Sequence, residues 1–266
     1  MSRIQSTFER LRRDRRTALM PYLTMGYPEL DSALQLVPAL IEGGADLIEL
    51  GVPFSDPLAD GATIQAAGQQ ALQNGMTLFL CLRQAAQLRE RGIACPLVLM
   101  SYYNPIMQMG TEAFAREAAE KGIDGVIVPD LPPEESTELQ EALRERGLDL
   151  IYLLAPNSTV DRVRVVAERA SGFLYLVSLV GITGARDRLP STLEAFIHRV
   201  RAQSQLPLAV GFGIASPDQA ARVAQAADGA IVGSAFVRAI GDSGAPAQAA
   251  RELAASLRAG LDRDQP

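Results

Sequence analysis

Apolar residues along the chain come in short continuous runs, and each run is followed by a stretch in which they recur every three to four positions. The runs fall at 18–25, 46–52, 96–103, 125–128, 148–154, 173–179, 207–210 and 230–232. Uninterrupted apolar runs rich in Val, Ile and Leu predict strands covered on both faces, the pattern of a parallel sheet. The stretches between them predict helices at 32–42, 78–91, 112–121, 135–146, 160–169, 193–203, 217–226 and 247–259. Alternating strands and helices imply right-handed crossovers. Eight such units with no linker predict an α/β fold, a (β/α)8 TIM barrel forming a single domain over 1–266, since such barrels take about 250 residues. Ahead of the first run, Ile4, Phe8 and Leu11 share one helical face within a basic stretch. That spacing predicts a short amphipathic N-terminal helix covering one end of the barrel rather than an RNA-binding arm.

Composition narrows the function classes. A net charge of -6 and a pI near 5.0 speak against nucleic-acid binding, which needs a basic stripe. No apolar run reaches the roughly 18 residues of a membrane helix, and the N-terminus lacks a signal-peptide pattern, so a soluble, cytoplasmic protein is expected. Cys81 and Cys95 do not form a CxxC pair, which gives no sign of a zinc site or a disulfide framework. Lys121, the sole lysine, stands in a turn that enters a strand, away from the rim where barrel enzymes work. Schiff-base chemistry is therefore not expected. His198, the sole histidine, lies within a helical run, which disfavours histidine-based zinc catalysis and Ser-His triads.

What remains at the carboxyl ends of the strands is carboxylate and backbone chemistry. Glu49 sits among apolar residues in the second run, where an ionised group is costly unless paired or used. Asp60 follows on a loop punctuated by Pro53, Pro57 and Gly61. Each has a plainer reading: Glu49 as half of a structural ion pair with an arginine, and Asp60 as the N-cap of the helical pattern that begins near Thr63. Asp56-Pro57 reads as a turn. Glycine-rich segments end the last three strands, at Gly181 to Gly184, Gly211 to Gly213 and Gly233-Ser234. Backbone amides freed by glycine beside a helix start form an anion site, so a phosphate is expected there. The long polar segment 180–192 reads as a lid that could close over substrate.

The run Glu49-Leu-Gly-Val-Pro-Phe-Ser-Asp-Pro-Leu-Ala-Asp-Gly61 resembles the signature of the tryptophan synthase alpha chain family. Tyr103-Asn-Pro105, Gly181-Ile-Thr-Gly184, Gly211-Phe-Gly-Ile214 and Gly233-Ser234 extend the likeness, which runs from about Phe8 to Leu257. The resemblance implies retro-aldol cleavage of indole-3-glycerol phosphate to indole and glyceraldehyde 3-phosphate, with neither metal nor cofactor in this chain. It implies Glu49 as general acid/base and Asp60 as acceptor from the indole nitrogen. Gly184, Gly213, Gly233 and Ser234 match phosphate-binding positions. Thr183 matches a lid residue and Tyr175 a side chain near Glu49, while Tyr22, Met100 and Ile127 would line the indole pocket. Leu179, Ala62 and Tyr22 depart from residues found in some relatives, which bears on affinity and lid behaviour. The family works with a pyridoxal-phosphate beta chain in an alpha2-beta2 complex, implying a contact surface near Pro53, Asp56, Pro57, Asn104, Pro132 and Asn157. A stand-alone lyase releasing free indole is the alternative on the same residues.

Overall fold

The computed structural model describes residues 2–177, 191–211 and 213–263. Among these, nine parallel strands form one sheet: β1 (Ala18–Thr24), β2 (Ile48–Gly51), β3 (Leu97–Met100), β4 (Gly125–Ile127), β5 (Asp149–Ile151), β6 (Leu153–Leu154), β7 (Leu174–Val177), β8 (Leu208–Gly211) and β9 (Gly229–Val232). Their order is β5-β4-β3-β2-β1-β9-β8-β7-β6. The two ends of that order are two halves of the one apolar run expected at 148–154. β5 pairs with β4 and β6 with β7, and between them the Tyr152 carbonyl accepts the Tyr175 N–H at 3.1 Å. One stretch of chain thus bonds on both sides, and the sheet closes on itself as a TIM barrel of eight units.

The eight expected crossover helices are all present, each end within two residues of its expected place. The sequence pattern did not anticipate two further short helices, Tyr103–Met109 and Ser234–Gly241. The first corrects the expected strand 96–103, which stops at Met100. Pro105 lies in the first turn of that helix, where its missing N–H has no intrahelical acceptor to lose. The second begins directly after Gly233, without the loop that would have announced it. The described part of the run 173–179 ends at Val177, and the lid expected at 180–192 lies outside the described residues up to 190. Among the described residues no helix is long and apolar enough to cross a membrane.

The barrel has a closed bottom and an open top. Side chains alternate across the pleat, so Met20, Val98, Ile127, Ile151, Ala209 and Ile231 converge inside. The helix Arg3–Arg13 lays Ile4, Phe8 and Leu11 beneath them, with the Phe8 ring 5.9 Å from that of Phe173. This is the plug its spacing predicts. The larger apolar layer lies between strands and surrounding helices.

Carboxylates recur at the bottom, each just ahead of a strand. Asp46 accepts the Leu19 N–H at 3.0 Å, Asp124 that of Leu97 at 2.8 Å, and Asp228 that of Leu208 at 2.8 Å. Each also meets an arginine: Arg258 at 3.0 Å, Arg89 at 2.6 Å and Arg201 at 2.6 Å, respectively. These acids tie one strand to the next and neutralise their charge on a helix. The acids at the top are held differently.

Candidate active site

A cavity of about 340 Å³ opens at the carboxyl ends of the strands. Tyr22 on β1 and Glu49 on β2 are register partners, and Met100 on β3 and Ile127 on β4 are paired in the same way. Together with Tyr175 on β7 these side chains line the cavity, because the period of two turns each of them inward. Asp60 closes one side from its loop. Gly213, Gly233 and Ser234 line it as well. Thr183 and Gly184 lie outside the described residues.

Among the described residues neither plainer reading of the carboxylates is seen. The N-cap of the helix Ala62–Gln73 is Gly61, with no side-chain capping bond, so Asp60 is not spent on that helix. Glu49 forms no ion pair among the described residues, although it is only 2% exposed. In contrast to Asp46, Asp124 and Asp228, it has no cationic partner among the described residues. Burial, reinforced by the negative charge of Asp60, pushes its pKa up to about 8. Burial also raises Asp60, to about 6, against the lowering effect of the Tyr102 hydroxyl. At pH 7 the first is therefore mainly protonated and the second mainly ionised. Two carboxyl groups set apart by their surroundings are an acid and an anion in one cavity.

The tyrosines shape the space between them. Burial raises the pKa of both Tyr22 and Tyr175, and the charges of Glu49 and Asp60 add to the effect, so both hydroxyls stay protonated. The Thr24 hydroxyl donates to that of Tyr22 at 3.4 Å. Glycine is what lets the rings lie flat against the wall. A Cβ at Gly51 would stand 2.2 Å from the Tyr22 hydroxyl oxygen, and one at Gly211 would stand 2.5 Å from that of Tyr175. Gly51→Ala is accordingly expected to push Tyr22 into the cavity and raise KM about tenfold, with kcat less affected. Steady-state kinetics beside a thermal melt checks this, and an unchanged KM in a folded variant contradicts it.

Around Gly213 and Gly233 the cavity offers groups that suit an anion. Gly213 has φ +81°, a left-handed conformation that glycine adopts without strain. Gly233 is the N-cap of Ser234–Gly241, and its carbonyl accepts the N–H groups of Phe236 and Val237 at 2.9 and 3.1 Å. The first N–H groups of that helix, on Ser234 and Ala235, have no intrahelical acceptor, and both residues line the cavity. Arg238, one turn further on, also lines it and is its single cationic side chain among the described residues. Sequence reasoning missed Arg238. Its spacing of four from Ser234 would have revealed it had the helix Ser234–Gly241 been anticipated.

Of the positions expected to meet a partner, Asp56, Asn104 and Asn157 are exposed, Pro57 and Pro132 are half-buried, and Pro53 is buried. Leu58, which the sequence reading did not single out, is 92% exposed on the same loop. Among the described residues no three His, Cys, Asp or Glu side chains gather as a metal site would require.

Fold and cavity together define a TIM-barrel protein whose rim cavity holds two carboxyl groups of differing pKa together with the start of a helix. The family model of the tryptophan synthase alpha chain matches residues 8–262. The tryptophan synthase alpha chain of Roseiflexus castenholzii is 57% identical over 243 residues, covering 91% of this chain and 93% of the relative. That of Burkholderia thailandensis is 48% identical over 265 residues, covering 98% and 97%. Among solved structures, tryptophan synthase subunit alpha from Legionella pneumophila superposes with a TM-score of 0.92 at 40% identity, covering 99% of each chain. A chain of Mycobacterium tuberculosis tryptophan synthase gives 0.90 at 40% identity, covering 98% of each. The chain belongs to the tryptophan synthase alpha chain family, and is thus a subunit of an enzyme.

Proposed function

We propose that the chain cleaves indole-3-glycerol phosphate by a retro-aldol reaction, giving indole and glyceraldehyde 3-phosphate. The observation that carries this reading is the buried Glu49, without an ion pair among the described residues, sharing one cavity with Asp60 and with free amides at a helix start. Protonated Glu49 delivers its proton to C3 of the indole ring, and positive charge develops at the ring nitrogen. Asp60, ionised, accepts the indole N–H and stabilises that charge. The carboxylate left on Glu49 then takes the proton from the hydroxyl on the adjoining carbon. The bond between that carbon and C3 breaks, its electrons return to the ring, and an aldehyde forms. One proton is given and one recovered, so the acid is restored without a cofactor.

The amides of Ser234 and Ala235, with Gly213 and Gly233, hold the phosphate, and Gly184 joins them by the family likeness. Thr183 closes toward Asp60 as a lid residue on the same ground. Tyr22, Met100, Ile127 and Tyr175 enclose the ring, in a cavity sized for a compound of this class. Arg238 adds a full positive charge at the phosphate end, since a helical side chain leans toward the N-terminus of its helix. Arg238→Ala is expected to raise KM about five- to tenfold with little change in kcat, because the phosphate is bound equally in ground and transition states. Equal KM values in the two proteins contradict the assignment.

The relatives are alpha chains of tryptophan synthase, which favours a subunit that passes indole to a beta chain over the stand-alone lyase. We place the partner surface on the rim, where Leu58 and Met107 are exposed large apolar side chains close to Asp56 and Asn104. The partner would carry the pyridoxal phosphate, in an alpha2-beta2 assembly. Indole release from indole-3-glycerol phosphate by the purified chain, with and without a tryptophan synthase beta chain, tests the reading. Slow release that rises strongly with the partner supports it. Fast release regardless of partner favours the lyase, and no release in either condition refutes the proposed reaction.

A further inference from the structure

Tyr102 follows β3, stands at the N-cap of Tyr103–Met109, and is 3% exposed. Its ring stacks on that of Phe54, centroids 5.2 Å apart, and its hydroxyl accepts the Ala59 N–H at 2.9 Å. Phe54 and Ala59 belong to the one loop that ends in Asp60. A tyrosine hydroxyl has one proton to give besides the lone pairs it offers. With Ala59 donating to it, that proton is free for the Asp60 carboxylate, with which the hydroxyl interacts. The other carboxylate bearing on Tyr102, Asp130, takes the Tyr103 backbone N–H at 2.9 Å. Tyr102 itself does not line the cavity. It can reach the substrate only through Asp60.

We infer that Tyr102 is a positioning residue for the cleavage: it fastens the Asp60 loop to the end of β3 at Phe54 and Ala59 and aims the carboxylate into the cavity. A carboxylate on a loop would otherwise sample many orientations, and an acceptor misplaced by an ångström loses much of its worth in a transition state. The same hydrogen bond favours the ionised form, opposing the burial that raises the group. Among the described residues, the other titratable or charged groups turned to the cavity with Asp60 are Glu49 from β2, Tyr22 from β1, Tyr175 from β7 and Arg238 from Ser234–Gly241. Tyr102 also joins the catalytic loop to the rim helix that carries Asn104 and Met107. A partner seated there would press on the residue that holds Asp60.

The inference rests on the role given to Asp60 above, and Tyr102→Phe tests it while keeping the ring and its stack on Phe54. The expected result is a kcat about tenfold lower, a KM within about twofold, and an acidic limb of the kcat/KM profile displaced to higher pH. Titration of the ¹³C-labelled Asp60 carboxylate by NMR, in the chain without substrate, should show its midpoint raised in the variant. Phe54→Leu, which loosens the stack and keeps the hydroxyl, should move the midpoint less and in the same direction. An unmoved midpoint in either folded variant, or a fall in kcat with an unmoved pH limb, overturns the inference in favour of simple packing. If the wild-type chain releases no indole, the reaction reading fails, and the titration still decides whether Tyr102 governs Asp60.

Discussion

Replacing Glu49 by glutamine is expected to lower indole release by about a thousandfold or more, with the barrel intact, because the amide can neither give nor recover the proton. The same substitution should change stability in a direction set by the raised pKa. In the fold the glutamate titrates near 8, against an ordinary value of 4.5, so the folded chain keeps a proton that the unfolded chain gives up. Stability from this group is fully present below pH 4.5 and is lost as pH rises through 8. At pH 9 the wild type must hold an ionised carboxylate in a site that disfavours it, at a cost on the order of 5 kcal/mol. Glutamine removes that cost. Thermal melts at pH 5 and pH 9 check this: the variant should gain on the wild type between the two. Full activity in Glu49→Gln, or a stability difference that does not vary with pH, contradicts the assignment.

The second large effect is expected from Asp60→Asn, about a hundredfold in kcat, which is the scale of losing one aligned electrostatic partner of the transition state. The amide oxygen can still accept the indole N–H but brings no charge to meet the cation forming in the ring. This places the loss below that of Glu49→Gln. The two carboxyl groups are also coupled. The charge of Asp60 contributes to the raised pKa of Glu49, so its removal should bring the alkaline limb of the rate profile to lower pH. A pH–rate comparison of variant and wild type reads both effects. Activity that falls with the alkaline limb unmoved separates the two groups and contradicts a shared site.

The sequence carried the barrel because each of its layers leaves a periodic trace. Strands buried on both faces write continuous apolar runs, and the helices that cover them write a period near 3.6. The plug at the bottom was equally legible, since Ile4, Phe8 and Leu11 fall on one helical face. Interactions between distant residues leave no such trace. Local rules made Asp60 an N-cap, and only the three-dimensional path of the loop shows Gly61 in that place and Tyr102 bearing on Asp60 from the end of the neighbouring strand. The pairing of Asp46 with Arg258, 212 residues apart, is invisible in the same way. It matters to the site by contrast, because the acids paired at the bottom set off Glu49 at the top, which has no ion pair among the described residues. Arg238 went unseen because the eight-residue helix Ser234–Gly241 is too short to establish a period and starts without a loop.

The division of labour between a protonated Glu49 and an ionised Asp60 is tested most directly by the pH dependence of kcat/KM for indole release from the wild-type chain. The expected profile is a bell, rising through about pH 6 as Asp60 ionises and falling through about pH 8 as Glu49 loses its proton. A rate that stays level from pH 5 to pH 9, or one that still climbs above pH 8, would contradict it.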